Sequence, residues 1–292
     1  MADRSVVIIG LPESGKTTFL AALWHLITDR TLPTVLSFRD LLSGDVAHLN
    51  AITARWRDAR VQERTAVGGN KLVSMNLKDA SGEPVRITFP DVAGEAYRRM
   101  WEDRSCDQDV SDILRSGGVL LFIHADTIRP PQWTVDEIAL SKKLGLSVPP
   151  GGEVPWHPRL APTQVQIVGL LQLMRQAPLD VGPRKLAVML SAWDKVSAEG
   201  MQPAAFVKAK MPLLSQYLRQ NADSWDSRVY GLSAQGGDYD DTKEGAKPNA
   251  EAQTLRELDQ PSKRIRLVEK RIVTQDLTEP LAWLMDASAS GN

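Results

Sequence analysis

SVVIIGLPESGKTTFLAALW, residues 5–24, joins an apolar run, a glycine loop and a helical pattern end to end. Val6–Ile9 has the composition of a short strand buried on both faces. Phe19, Leu20, Leu23 and Ile27 recur at helical spacing. Between them GLPESGKT, Gly10–Thr17, matches G-x-x-x-x-G-K-[ST]. Each part of that pattern has a physical reason. Backbone N–H groups of Glu13, Ser14, Gly15, Lys16, Thr17 and Thr18 can turn inward onto phosphate oxygens, helped by the positive end of the following helix. Gly15 permits close backbone approach, Lys16 reaches terminal phosphates as a point charge, and Thr17 offers a hydroxyl to Mg²⁺.

Outward from this unit, residues 30–70 read as a helix plus a loop. KLVSMNLK, Lys71–Lys78, and VRITFPD, Val85–Asp91, alternate in character around the turn-rich DASGEP and predict an antiparallel hairpin. SGGVLLFIHAD holds a wholly apolar strand, Val119–Ile123, and KLAVMLSAWD holds another. Thr163–Gln176 and Ala204–Gln220 are helical in pattern, and RVYGLSA, Arg228–Ala234, is a short strand. A final helix is predicted over 276–287, with Asp276 or Thr278 as its cap and Pro280 in its first turn. Strand and helix alternate throughout. The expected fold is therefore α/β, a doubly wound and mostly parallel sheet with one antiparallel edge hairpin. We read residues 1–292 as one domain, with a Pro/Gly-rich insertion at 127–161 and a polar, mobile segment at 236–262.

Three further motifs follow in chain order. In ITFPDVAGE, Asp91 ends a strand where a carboxylate can hold Mg²⁺ through water, and Gly94 offers a backbone N–H for a γ-phosphate. In LSAWDKV, Asp194 lies just past a buried strand, at the end where α/β sheets bind ligands. A carboxylate there accepts both hydrogen bonds offered by guanine N1–H and N2–H₂, and adenine offers no such pair. In GLSAQGG, the small residues Ser233 and Ala234 let a backbone N–H reach the guanine oxygen.

Composition excludes several other classes. The 35 basic and 36 acidic residues give a net charge of -1, so no nucleic-acid surface or polybasic membrane patch is expected. The apolar run near the N-terminus is too short for a secretory signal, and no stretch approaches a membrane span. The single cysteine, Cys106, suits a reducing, cytoplasmic setting. No His/Cys/Asp spacing suggests zinc. His25 and His124 read as core or pocket-wall histidines, and the eight tryptophans as core, with Trp101 a candidate partner contact.

With four motifs in this order, the chain resembles the Ras-like, translation-factor class of P-loop GTPases. GLPESGKTTFLAALW, DVAGE and DLTEPLAWL are similar to the bacterial double-GTPase group of conflict and defence gene clusters. The resemblance implies a P-loop NTPase fold and a switch that binds GTP and GDP with Mg²⁺. It also implies slow hydrolysis and a protein effector encoded nearby. Lys16, Thr65, Gly94 and Glu95 would form the catalytic set. Glu13 to Thr18, Ser191, Asp194, Lys195, Ser233 and Ala234 would hold the nucleotide, and Thr17, Thr65 and Asp91 the metal. Thr53, Thr31 and Thr34 are rivals to Thr65, and Arg64 is a candidate arginine acting in cis. The sequence departs from the family pattern in two places. The base motif N/T-K-x-D reads Ser191-Ala192-Trp193-Asp194, without the lysine that packs along the base, for which Trp193 and Lys195 are the candidate substitutes. The position after Gly94, often glutamine, is Glu95. Two alternatives stay open: a nucleotide-loaded scaffold with negligible turnover, and an ATP-using P-loop enzyme.

Overall fold

The computed structural model describes residues 5–43, 46–62, 71–79, 81–91, 94–115, 117–131, 157–197, 200–240 and 248–285. Five strands carry the candidate site: β1 (Ser5–Gly10), β4 (Pro84–Asp91), β5 (Gly118–His124), β6 (Arg184–Ser191) and β7 (Trp225–Ser233). All five run parallel, in the order β4-β1-β5-β6-β7. β2 (Ser37–Ser43) and β3 (Lys71–Lys78) extend the sheet beyond β4 as antiparallel neighbours. At the other edge β8 (Arg266–Glu269) and β9 (Ile272–Thr274) pair antiparallel beyond β7. The described sheet thus has nine strands and antiparallel borders on both sides, where the sequence predicts one. β8 and β9 have only four and three residues, and β2 is interrupted by the charged Arg39 and Asp40, so none shows the apolar run that makes a buried strand legible.

Period-two alternation divides the core. Val6 and Ile8 of β1 enter one apolar cluster, while Val7 and Ile9 enter the other. β5 does the same, with Leu120 and Phe122 against Val119, Leu121 and Ile123. The first cluster is closed by α1 (Lys16–Asp29) and α2 (Val46–Arg57). The second is closed by α3 (Gly94–Asp103), α4 (Gln108–Leu114), α5 (Thr163–Leu173), α6 (Trp193–Val196), α7 (Pro203–Lys210) and α8 (Pro212–Gln220). The single helix expected over 204–220 is two, because Pro212 lacks an N–H and forces Met211 to φ -135.

Within the 236–262 segment, α9 (Ala250–Arg256) starts at Asn249, whose side chain accepts from Glu251 N, and buries Ala252 and Leu255. Of the 127–161 insertion, residues 132–156 lie outside those described. The final helix, α10 (Glu279–Met285), packs on the first cluster through Leu281 and Leu284. Its lead-in is braced by Asp276. Oδ1 accepts from Thr278 N at 2.8 Å and from Thr278 Oγ1 at 2.6 Å, while Oδ2 accepts from Val35 N at 2.6 Å. Thr278 Oγ1 in turn accepts from Leu36 N at 3.0 Å. The C-terminal helix is thereby bonded to the lead-in of β2.

Asp276→Ala strands the Val35 and Thr278 donors. It is expected to destabilise the protein by about 1–3 kcal/mol, read as a lower midpoint in urea with an unchanged slope.

Candidate nucleotide site

The parallel registers bring the motifs to one edge of the sheet. Gly10 pairs with Phe122, His124 with Ser191, and Ser191 with Leu232, so the loops after β1, β5, β6 and β7 leave side by side. β1 and β4 run together through Val7 and Thr88, and three residues further along each strand lie Gly10 and Asp91. This is the carboxyl edge, where ligands of open α/β sheets sit.

The phosphate loop is shaped by its neighbours. Gly15 has φ +89, and a Cβ there would lie 2.9 Å from Ser191 Cβ. A Cβ on Gly10 would lie 2.7 Å from the Phe122 carbonyl oxygen. Glu13 takes φ 61, which turns the loop backbone over. Ser191 Oγ donates to Ser14 O at 2.9 Å, so the first residue of the base motif touches the phosphate loop directly. Lys16 Nζ donates to Gly10 O at 2.8 Å, Leu11 O at 2.9 Å and Ser14 Oγ at 3.3 Å. Those oxygens hold the ammonium beside the first turn of α1.

Tyr97 is a site residue that sequence reasoning misses. It lies on α3, its ring centroid is 5.9 Å from Lys16 Nζ, and its hydroxyl donates to Ile8 O at 2.8 Å. Full burial pushes its phenol well above the usual range, so it stays neutral. It ties α3, the helix entered from DVAGE, to the strand below the phosphate loop. A lone tyrosine in a charged helix carries no signal of this.

The base motif takes a form set by packing. Ala192 occupies the lysine position at φ 52. Trp193 is buried edge-on to Phe206 and lies so close to Gly231 that a Cβ there would be 2.5 Å from the indole. It is core, and cannot stand in for the lysine. Lys195 remains: its Nζ is 2.8 Å from Asp238 Oδ1 and 3.9 Å from Asp126 Oδ2. The Asp238 hydrogen bond raises the Lys195 pKa. Asp194 is half-buried, and among the described residues nothing bonds to its carboxylate. Ser233 is buried, with Oγ accepting from Gly236 N at 3.2 Å.

The base loop is fastened to the chain entering the 63–70 segment. Ala234 O accepts from Trp56 Nε1 at 2.8 Å. Asp240 N donates to Ala59 O at 3.0 Å, and Val61 N donates to Asp240 O at 3.1 Å. Arg256 of α9 bonds the Asp240 carboxylate and donates to Asp58 O at 2.7 Å. Buried Arg264 stacks on Trp56 at 4.3 Å and donates to Trp56 O and Arg57 O, capping α2. Asp238, Asp240, Arg256 and Arg264 come from the stretch read as a polar segment and its margin.

Other expectations resolve plainly. Thr65 and Arg64 lie outside the described residues. Each rival threonine spends its hydroxyl elsewhere: Thr53 on Ala21 O, Thr34 on Leu36 O, Thr31 with Ser262. Trp101 is 8% exposed, donates to Pro158 O, and presses on Gly169, so it is core and not a partner contact. His124 does stand at the wall, and His25 is buried against Trp56. Among the described residues no cluster of His, Cys, Asp or Glu could hold a metal, and no helix is long and apolar enough to cross a membrane.

The Double-GTPase 1 family profile matches residues 7–284. The chain belongs to the Double-GTPase 1 family. It is a GTP-binding P-loop protein of the GTPase class. No curated protein sequence matches it significantly. Similar solved structures are remote. The Ski7 GTPase-like domain of S. cerevisiae bound to GDP and inorganic phosphate is 11% identical, with TM-score 0.41, over 87% of this chain and 48% of its own. A signal recognition particle receptor complex from Chaetomium thermophilum is 12% identical, with TM-score 0.39, over 80% and 92%. The bacterial selenocysteine-specific elongation factor EF-Sec is 12% identical, with TM-score 0.36, over 81% and 27%. This chain spans less than half of the length of EF-Sec and of Sup35.

Gly231→Ala drives a methyl group into the Trp193 indole and must displace the helix that carries Asp194. The expected result is a loss of about 1–3 kcal/mol in stability, with a changed tryptophan emission spectrum.

Proposed function

We propose that the protein is a guanine-nucleotide switch that binds GTP with Mg²⁺ and hydrolyses it slowly to GDP and phosphate. In this reading the loops near Thr65 and Gly94 change between the two states, and a protein effector responds. The observation that carries the proposal is the Ser14–Gly15–Ser191 contact. It supports one continuous nucleotide site, with the phosphates on Lys16 and the base on Asp194. Lys195, bridged to Asp238 and near Asp126, would close the base pocket in place of the missing lysine. Ser233 and Ala234 would present backbone to the guanine oxygen.

Thr17 and Asp91 are hard oxygen donors of the kind Mg²⁺ accepts; Thr17 stands in the first turn of α1, just after the phosphate loop, and Asp91 ends β4, the parallel neighbour of β1. Bound there, Mg²⁺ would neutralise charge on the β- and γ-phosphates. Lys16 would stabilise negative charge on the terminal oxygens, and the N–H groups of Glu13 to Thr18 would orient them. Glu95 favours a second reading, a nucleotide-loaded scaffold with negligible turnover, since a carboxylate beside a γ-phosphate repels it. Either reading suits a cytoplasmic protein.

Lys16→Ala is expected to weaken GTP binding by about 100-fold or more, with melting unchanged. Full affinity in calorimetry would remove the phosphate-loop assignment. Asp194→Asn should lower GTP affinity and raise that for xanthosine triphosphate, because the amide reverses one donor–acceptor pair. Wild-type protein binding ATP as tightly as GTP would move it to the ATP-using alternative.

Glu95→Gln should leave single-turnover phosphate release equal or faster. Abolished turnover with binding intact would instead make Glu95 a catalytic group.

A further inference from the structure

A cleft of about 390 Å³ borders the phosphate loop. One wall is the loop itself, Leu11 to Ser14, and Arg98 of α3 faces it. Arg129, Arg159 and His124 complete its polar lining. The three arginines differ in what already engages them. Arg159 is ion-paired with Glu102, both contacts at 3.2 Å. Arg129 donates to the Arg159 carbonyl oxygen, a neutral acceptor. Arg98 is half-buried, and among the described residues no carboxylate or carbonyl engages its guanidinium. Glu13 is a carboxylate on the same wall, so Arg98 and Arg129 leave the lining net positive.

The second observation is His124 Nδ1, which is buried without a hydrogen-bond partner. Burial lowers the ring's pKa, and Asp126, Asp194, Glu13 and Lys195 are the charged groups around it. A neutral imidazole and a free planar guanidinium are thus held in one cleft. Unpaired polar atoms of this kind are costly unless a ligand or water satisfies them. An oxyanion with several acceptor oxygens suits a guanidinium fork.

We propose that this cleft is a second oxyanion site, which holds the orthophosphate cleaved from bound GTP before it leaves the protein. The inference rests on the hydrolysis reading above. Hydrolysis breaks the bond from Pγ to the bridging oxygen, joins Pγ to the oxygen of water, and yields GDP, orthophosphate and a proton. The product forms against the phosphate loop, whose Leu11–Ser14 wall is also the wall of the cleft. Arg98 is then the first unengaged cation outside the loop, and it draws the new dianion off the nucleotide. A carboxylate from a partner protein shares part of this chemistry. Orthophosphate is favoured because the cleft adjoins the place where it is made.

The test uses the full chain loaded with GDP and Mg²⁺, so that the phosphate loop is filled. Inorganic phosphate is titrated at constant ionic strength, with ³¹P line broadening as the readout and acetate as the competing carboxylate. Wild-type protein should bind phosphate, and Arg98→Ala should weaken it by about tenfold or more, with Arg98→Lys intermediate and GDP affinity retained. In single turnover, Arg98→Ala should change the interval between GTP cleavage and the appearance of free phosphate. No broadening up to about 20 mM phosphate, or equal broadening in Arg98→Ala, overturns the proposal. Acetate displacing phosphate at equal concentration makes the cleft a carboxylate-docking site and also overturns it. Should the protein bind no guanine nucleotide, the switch reading falls by itself. The cleft is then titrated in Lys16→Ala, whose loop has lost its cation, and retained Arg98-dependent broadening keeps the oxyanion site.

Discussion

The contact between Gly15 and Ser191 organises the site. A glycine at φ +89 with no room for a Cβ lets the phosphate loop rest on the end of β6, and Ser191 Oγ bonds the loop backbone. Two segments about 175 residues apart in sequence become one surface. The contact exists because β1, β5 and β6 are parallel neighbours with their carboxyl ends level. Those strands are held in register by side chains that enter apolar clusters on both faces.

From that centre the structure extends in two directions. Toward α3, Tyr97 bonds the strand beneath the loop, which fixes the helix following DVAGE near its start. Toward the base, the loop after β7 is tied to residues 56–61 by Asp240, Arg256, Arg264 and Trp56. The loop after β7 and the end of α2 therefore share a scaffold. The C-terminal helix adds a separate fastening, from Asp276 and Thr278 to residues 35 and 36.

The site's departures from the family pattern also follow from packing. Ala192 adopts a left-handed conformation and Trp193 packs against Gly231, while Lys195 pairs with Asp238. Next to buried Trp193, Asp194 is half-buried, with its carboxylate unengaged among the described residues.

By itself the sequence determined the phosphate loop, the parallel core strands, the β3–β4 hairpin and the order of the motifs. These are local signals: apolar runs, a glycine pattern, period-two alternation. Only the tertiary structure decided that Trp193 and Trp101 are core and that Thr53, Thr31 and Thr34 are engaged elsewhere. It alone decided that a polar-looking segment supplies the clamp around the base loop, and that β8 and β9 form a second antiparallel border. A hydroxyl, an indole or an arginine has the same appearance in sequence whatever it touches. Its role is set by partners up to 242 residues away, and no spacing rule reaches that far.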